Sequence, residues 1–153
     1  MGYCLIAFIV LCMINPASTL TNGGTLYCQE EWKTGEIFTL SFHVDATIFL
    51  QTCKNRQNPA YFQKSNDGVA APKPNCTVPN IKSSGTCSSG SFPPGTLGCG
   101  CTGQNNSHYM LEYNFIANSD YNGWWSADIF LHRCFINSTP VFLQSKLRRQ
   151  TTM

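Results

Sequence analysis

The side chains best placed to do chemistry in this 153-residue chain are its cysteines. Cys28, Cys53, Cys76, Cys87, Cys99, Cys101 and Cys134 lie in the body of the chain, and Cys4 and Cys12 lie in an apolar leader. Cysteines at this density can bind metal, run redox reactions or cross-link the fold. Structural zinc sites usually show two Cys/His pairs at matched spacing, whereas His43, His108 and His132 are scattered, so no metal site is expected. Disulfides are the expected chemistry. A bridge between Cys99 and Cys101, with one glycine between them, would be strained, so the two should take different partners. Seven is an odd number. At most three bridges can then close within one chain, and the leftover thiol could join two chains as a disulfide-linked dimer. Which cysteine pairs with which is open.

Other reactive groups offer less. The eight acids, Glu30, Glu31, Glu36, Asp45, Asp67, Glu112, Asp120 and Asp128, lie mostly in turn-like sequence. Hydrolysis by paired carboxylates needs two acids converging in a cleft, and that pattern does not place them so. Gly98-Cys-Gly100 is neither a nucleophile elbow nor a phosphate loop. No enzyme and no cofactor are expected. A Ser/His/Asp site assembled in space is the residual alternative, because triads are recognised by geometry. Three sequons, at Asn75, Asn105 and Asn137, are candidate glycosylation sites and point to a glycoprotein. Asn105, in a polar Thr-Gly-Gln-Asn-Asn-Ser run, looks the most accessible.

The leader fits export. Cys4 to Ile14 is an eleven-residue apolar run followed by Asn15-Pro16 and small residues, the layout of a signal peptide over 1–19. A membrane-spanning helix needs roughly 20 apolar residues, and the chain has no second such run, so no membrane insertion is expected once the signal is removed. Cleavage after Thr19 leaves residues 20–147 as one domain, with 148–153 as a flexible tail. The only basic cluster, Lys146, Arg148 and Arg149, reads as a solvated tail, so no nucleic-acid partner is expected. The expected location is extracellular.

The elements that must position these residues read as strands. In Gly35-Glu-Ile-Phe-Thr-Leu-Ser-Phe-His-Val44, Phe38, Leu40, Phe42 and Val44 share one face, so the period of two buries that face. His108 to Ile116 alternates too, with Tyr109, Leu111, Tyr113 and Phe115 together. A turn at Asp120–Gly123 then feeds a run with Trp125, Ala127, Ile129 and Leu131 on one side. Further strands are expected at Thr25–Cys28, Thr47–Cys53 and Pro140–Gln144, the last an edge because of its proline. Residues 54–107, rich in Asn, Pro, Gly and Ser, read as a long insert with one or two short strands, ordered mainly by cross-links. No helical period is evident. The chain is expected to be all-β.

The segment Gly35 to Val44, followed far downstream by Tyr109–Phe115 and Asp120-Tyr-Asn-Gly-Trp-Trp-Ser-Ala127, resembles the B strand, then the E strand, turn and F strand, of immunoglobulin-like domains. About 40 residues carry the resemblance, which implies an antiparallel β-sandwich with the Cys/Gly/Pro-rich insert between strands C and E. The chain departs from the family where its inter-sheet disulfide would lie. Phe42 takes the B-strand position, and Ala127 (or Ser126 in the other register) takes the F-strand position. A large ring against a small side chain roughly conserves the volume of two half-cystines. The family's strand-C tryptophan is also missing, with Ile48 and Leu50 expected there. The expected core is Phe38, Leu40, Phe42, Val44, Leu111, Tyr113, Trp125, Ala127 and Ile129.

That register turns Trp124, Ser126, Asp128, Phe130 and His132 outward. The resemblance puts them on the sheet face that commonly contacts partners. Trp124, Phe130 and His132 are therefore expected to meet a ligand or a second subunit, unless the insert folds over them. The function implied is a secreted binding module for a protein or glycan ligand, acting through a sheet face and loops. Two alternatives stand beside it. One is a cysteine-rich structural or inhibitor protein acting through loop 54–107. The other is a truncated ectodomain of a cell-surface receptor.

Overall fold

The computed structural model describes residues 13–14, 23–28, 32–53, 57–67, 73–82, 84, 86–87, 90, 92–105, 107–131 and 134–144. Its strands are β1 (Met13–Ile14), β2 (Gly24–Cys28), β3 (Ile37–Asp45), β4 (Asn58–Ser65), β5 (Lys73–Ile81), β6 (Gly98–Gln104), β7 (His108–Ile116), β8 (Gly123–Leu131), β9 (Cys134–Asn137) and β10 (Val141–Leu143). Among the described residues, one helix, α1 (Ala46–Cys53), follows β3, and a single 3₁₀ turn, Ser119–Tyr121, precedes β8. The strands form two antiparallel sheets packed as a β-sandwich. The smaller runs β2-β3-β7-β6 and the larger runs β1-β10-β8-β4-β5, with β9 also paired to β8.

Alternation explains the central strands. Along β3, Phe38, Leu40, Phe42 and Val44 are buried, and the residues between them are not. In β7 and β8 the buried positions include Tyr109, Leu111, Tyr113, Phe115, Trp125, Ala127 and Ile129. Each fully buried large side chain contributes roughly 1.5–3 kcal/mol through its removal from water. Rings link the two layers. Phe115 stacks on Trp125 at 5.5 Å, and Tyr113 lies 5.6 Å from Phe62 and 5.8 Å from Trp125. Phe62 sits opposite Ala127 in the β4–β8 register and meets the Phe42 ring edge-on at 6.5 Å. Phe42 and Phe62 together thus fill the interior beside Ala127.

Residues 47–53 form helix, not the expected strand. Asp45 explains the start, because its Oδ1 accepts the Ile48 N–H at 2.9 Å and satisfies a donor of the first turn. Phe49 and Cys53, one helical turn apart, are the buried residues of α1, and Phe49 packs edge-on against Tyr109 at 5.2 Å. Propensity for strand loses here to a cap and a buried stripe.

Residues 54–107 carry three full strands, more than expected of an insert. In β4, Ala60 and Phe62 alternate inward while Tyr61 and Gln63 do not, a pattern hidden behind Asn58 and Pro59. β5 contains Pro74 and Pro79, which an edge strand tolerates. β6 is the corresponding edge of the smaller sheet. Its Gly100 leaves room for the Phe92 side chain, whose Cβ a Cβ there would meet at 2.6 Å. These edge strands bury few apolar residues, and covalent bonds supplement them. Cys76–Cys99 joins β5 to β6 across the two sheets, and Cys87–Cys101 ties the segment after β5 to β6. A third bridge, Cys53–Cys134, fastens α1 to β9. Cys99 and Cys101 therefore have different partners.

Cys28 is disulfide-bonded as well, so among the described residues the leftover thiol is absent. β9 and β10 both pair with β8 and are separated by residues 138–140, of which Ser138 accepts the Ala127 N–H on its Oγ at 2.9 Å. β10 is flanked by the two-residue β1, at Met13–Ile14, rather than forming the sheet's outer edge. The tail 148–153, and residues 1–19 apart from Met13–Ile14, lie outside the described residues.

Candidate functional site

The outward face of the larger sheet follows from the alternation of β8. Since Trp125, Ala127 and Ile129 point inward, Trp124, Ser126, Asp128 and Phe130 point the other way. Pairing with its neighbours builds two aromatic pairs. Trp124 lies opposite Phe142 of β10, with ring centroids 5.2 Å apart. Phe130 lies opposite Phe135 of β9, edge-on at 5.9 Å. The second pair is open to solvent, with Phe130 56% and Phe135 43% exposed. His132 lies outside the described residues.

A polar strip separates the pairs. Tyr61 and Gln63 of β4 lie opposite Asp128 and Ser126, and Gln63 Nε2 donates to Asp128 Oδ2 at 2.5 Å. Burial holds the Asp128 carboxyl above its ordinary pKa, and the Gln63 hydrogen bond acts in the opposite sense. The face thus presents apolar rings at two levels of β8, with a hydrogen-bonded carboxyl between them. Trp124 is half-buried against Phe142 and Ser65, with β4 beside it as a sheet neighbour. Phe135, Phe142 and Gln63 belong to this face although the sequence reading did not single them out. Their signal lay in strand pairing: Phe135 directly follows Cys134, and Phe142 sits at the centre of a short alternating run.

The smaller sheet offers a second polar face. Tyr27 packs on His43 at 4.7 Å, and His43 lies 6.4 Å from His108. Burial and then the charge on His108 hold His43 below its ordinary pKa. Burial also raises Glu112, which lies opposite Ser41. Cys99 and Cys101 are oxidised within bridges and present no thiolate for metal or redox work.

The three sequons occupy different environments. Asn105 caps the β6–β7 turn, its Oδ1 accepting the N–H groups of Ser107 at 2.9 Å and His108 at 2.7 Å. Asn75 is exposed on β5. Asn137 has a buried Oδ1 without a hydrogen bond, and its neighbour Ser138 is itself buried. No family model, curated protein or solved structure matches this chain, so its function has to be read from these surfaces themselves.

Proposed function

We propose that the chain is a secreted immunoglobulin-like recognition module that binds a protein ligand through the outward face of its larger sheet and performs no catalysis. The observation that carries this reading is the open Phe130–Phe135 pair on the same sheet face as Trp124 and Phe142. Aromatic residues are enriched at the centres of protein interfaces, where they bury large rigid areas. The part-buried Asp128–Gln63 pair supplies a polar contact between the rings.

Strand order supports the family reading. The sequence β2-β3-β7-β6 corresponds to A-B-E-D of an immunoglobulin sandwich, and β10-β8-β4-β5 corresponds to G-F-C-C′. Phe42 and Phe62 then occupy the region where the inter-sheet disulfide and the strand-C aromatic would pack. Export is supported by the disulfide set, since such bridges persist in oxidising compartments.

Arrays of extracellular proteins, probed with the wild type and with Phe130→Arg and Phe135→Arg variants, test the proposal. A ligand whose affinity falls at least about tenfold in both variants, with their melting temperatures unchanged, supports the face. A segment swap for the loop alternative must be confined to residues 82–97, because 58–65, 73–81 and 98–104 are sheet strands. A ligand indifferent to both arginines but lost on that swap refutes the sheet-face reading.

A further inference from the structure

At the opposite end of β8 from the Phe130–Phe135 pair, a cleft of about 330 Å³ opens between β5, the entry to β6 and the corner joining β7 to β8. Asn75, Leu97, Tyr113, Ile116, Asn118 and Tyr121 line it. Two features set it apart from an ordinary surface groove. Its rim is apolar and open, with Leu97 58% and Ile116 37% exposed. Its wall also carries the asparagine of a sequon, Asn75-Cys-Thr77, which lines the cleft together with Tyr113. Asn75 is exposed, so the amide nitrogen that would carry a sugar is accessible at the edge of the cleft.

From this placement we infer that Asn75 is an N-glycosylation site whose first sugars lie in the cleft, over Leu97, Ile116 and Tyr121. In the transfer, Asn75 Nδ2 forms a bond to the anomeric carbon of an oligosaccharide carried on a polyprenyl diphosphate. The anomeric carbon–oxygen bond to that diphosphate breaks, the lipid diphosphate leaves, and Nδ2 gives up one proton. The apolar C–H faces of a pyranose remove Leu97 and Ile116 from water, while its hydroxyls meet the Asn118 amide and the Tyr121 hydroxyl. The Cys76–Cys99 bridge, next in sequence, fixes Asn75 against β6. The other two sequons lack a comparable bed. Asn105 sits at a hairpin tip, and the Asn137 side-chain oxygen is buried.

The inference shares with the proposed function only passage through the secretory pathway. Full-length protein secreted from eukaryotic cells is digested, and its glycopeptides are mapped by mass spectrometry. The expected result is a glycan on Asn75. Thr77→Ala removes the sequon while keeping the Asn75 amide, and Asn75→Gln removes both. Both should lose the glycan, lower the melting temperature by about 3 °C or more, and speed amide exchange at 97–98 and 116–118. Asn105→Gln should leave those amides unchanged. Enzymatic deglycosylation of the folded wild type gives the same comparison without a substitution. An unmodified Asn75 beside a glycosylated Asn105 overturns the inference while leaving export intact. An Asn75 glycan whose removal changes neither melting nor exchange overturns it as well.

Discussion

Removal of the Cys53–Cys134 bridge should be the most damaging single cross-link loss among the three mapped bridges. It spans a separation of 81 residues, and closing a loop of that length lowers the entropy of the unfolded chain by an amount worth about 4.5 kcal/mol at 25 °C. With Cys76–Cys99 intact, the shortest path between its ends is still about 60 residues, which reduces the figure only to about 4.3 kcal/mol. Cys87–Cys101 spans 14 residues, for which the same relation gives about 3 kcal/mol. All four of these cysteines are buried, so truncating each pair to alanine imposes similar packing losses and the loop term sets the difference. The assay is guanidinium unfolding of the Cys53→Ala/Cys134→Ala and Cys87→Ala/Cys101→Ala variants, with the slope checked for each. A domain holding 5–15 kcal/mol in total would keep only a fraction of its stability in the first variant. Amide exchange should rise across 46–53, because the bridge is the covalent tie that, with the Phe49–Tyr109 contact, helps hold α1 to the sandwich. If the short-loop variant loses as much stability as the long-loop one, or α1 stays equally protected, the reasoning fails.

Three further outcomes are expected. Asp45→Ala should cost about 1 kcal/mol by removing the oxygen that accepts the Ile48 N–H, with Asp45→Ser recovering most of it in thermal melts. Gly123→Ala should cost about 2 kcal/mol or more, since φ is 139° and a Cβ would meet the Ser65 carbonyl oxygen at 2.8 Å. Denaturant titration reads that loss, and a neutral effect would contradict the close approach. His43 has a folded-state pKa below its unfolded value, so the neutral ring is favoured by folding. Its contribution is complete above the unfolded pKa of about 6.5 and is lost as pH falls below it. Between pH 7.5 and 5 the wild type should therefore lose more melting temperature than His43→Gln, and equal losses would refute the assignment.

The sequence by itself determined the two-layer character of the protein and its most buried faces. The spacing of Phe38, Leu40, Phe42 and Val44, and of Trp125, Ala127 and Ile129, states an inward face because a strand's side chains alternate whatever it packs against. That same parity turns Trp124 and Phe130 outward without any knowledge of the fold. It also indicated that Cys99 and Cys101 must part company, since adjacent-but-one half-cystines cannot easily meet each other.

Tertiary structure decided what depends on partners distant in sequence. Residues 46–53 carry β-branched and aromatic side chains, yet a cap from Asp45 and the need to bury Phe49 and Cys53 on one stripe make them helical. β4, β5 and β6 were hidden because Pro59, Pro74, Pro79 and the glycines of β6 are acceptable only through the places those strands occupy in the sheets and the cysteines that bind their edges. Phe135 and Phe142 became part of the outward face through pairing with β8, and Asn75 came to the cleft through β5 folding beside Tyr113. Alternation along one strand is local and can be read directly. Which strands lie side by side is settled by burial and cross-links between segments that the chain brings together only when it folds.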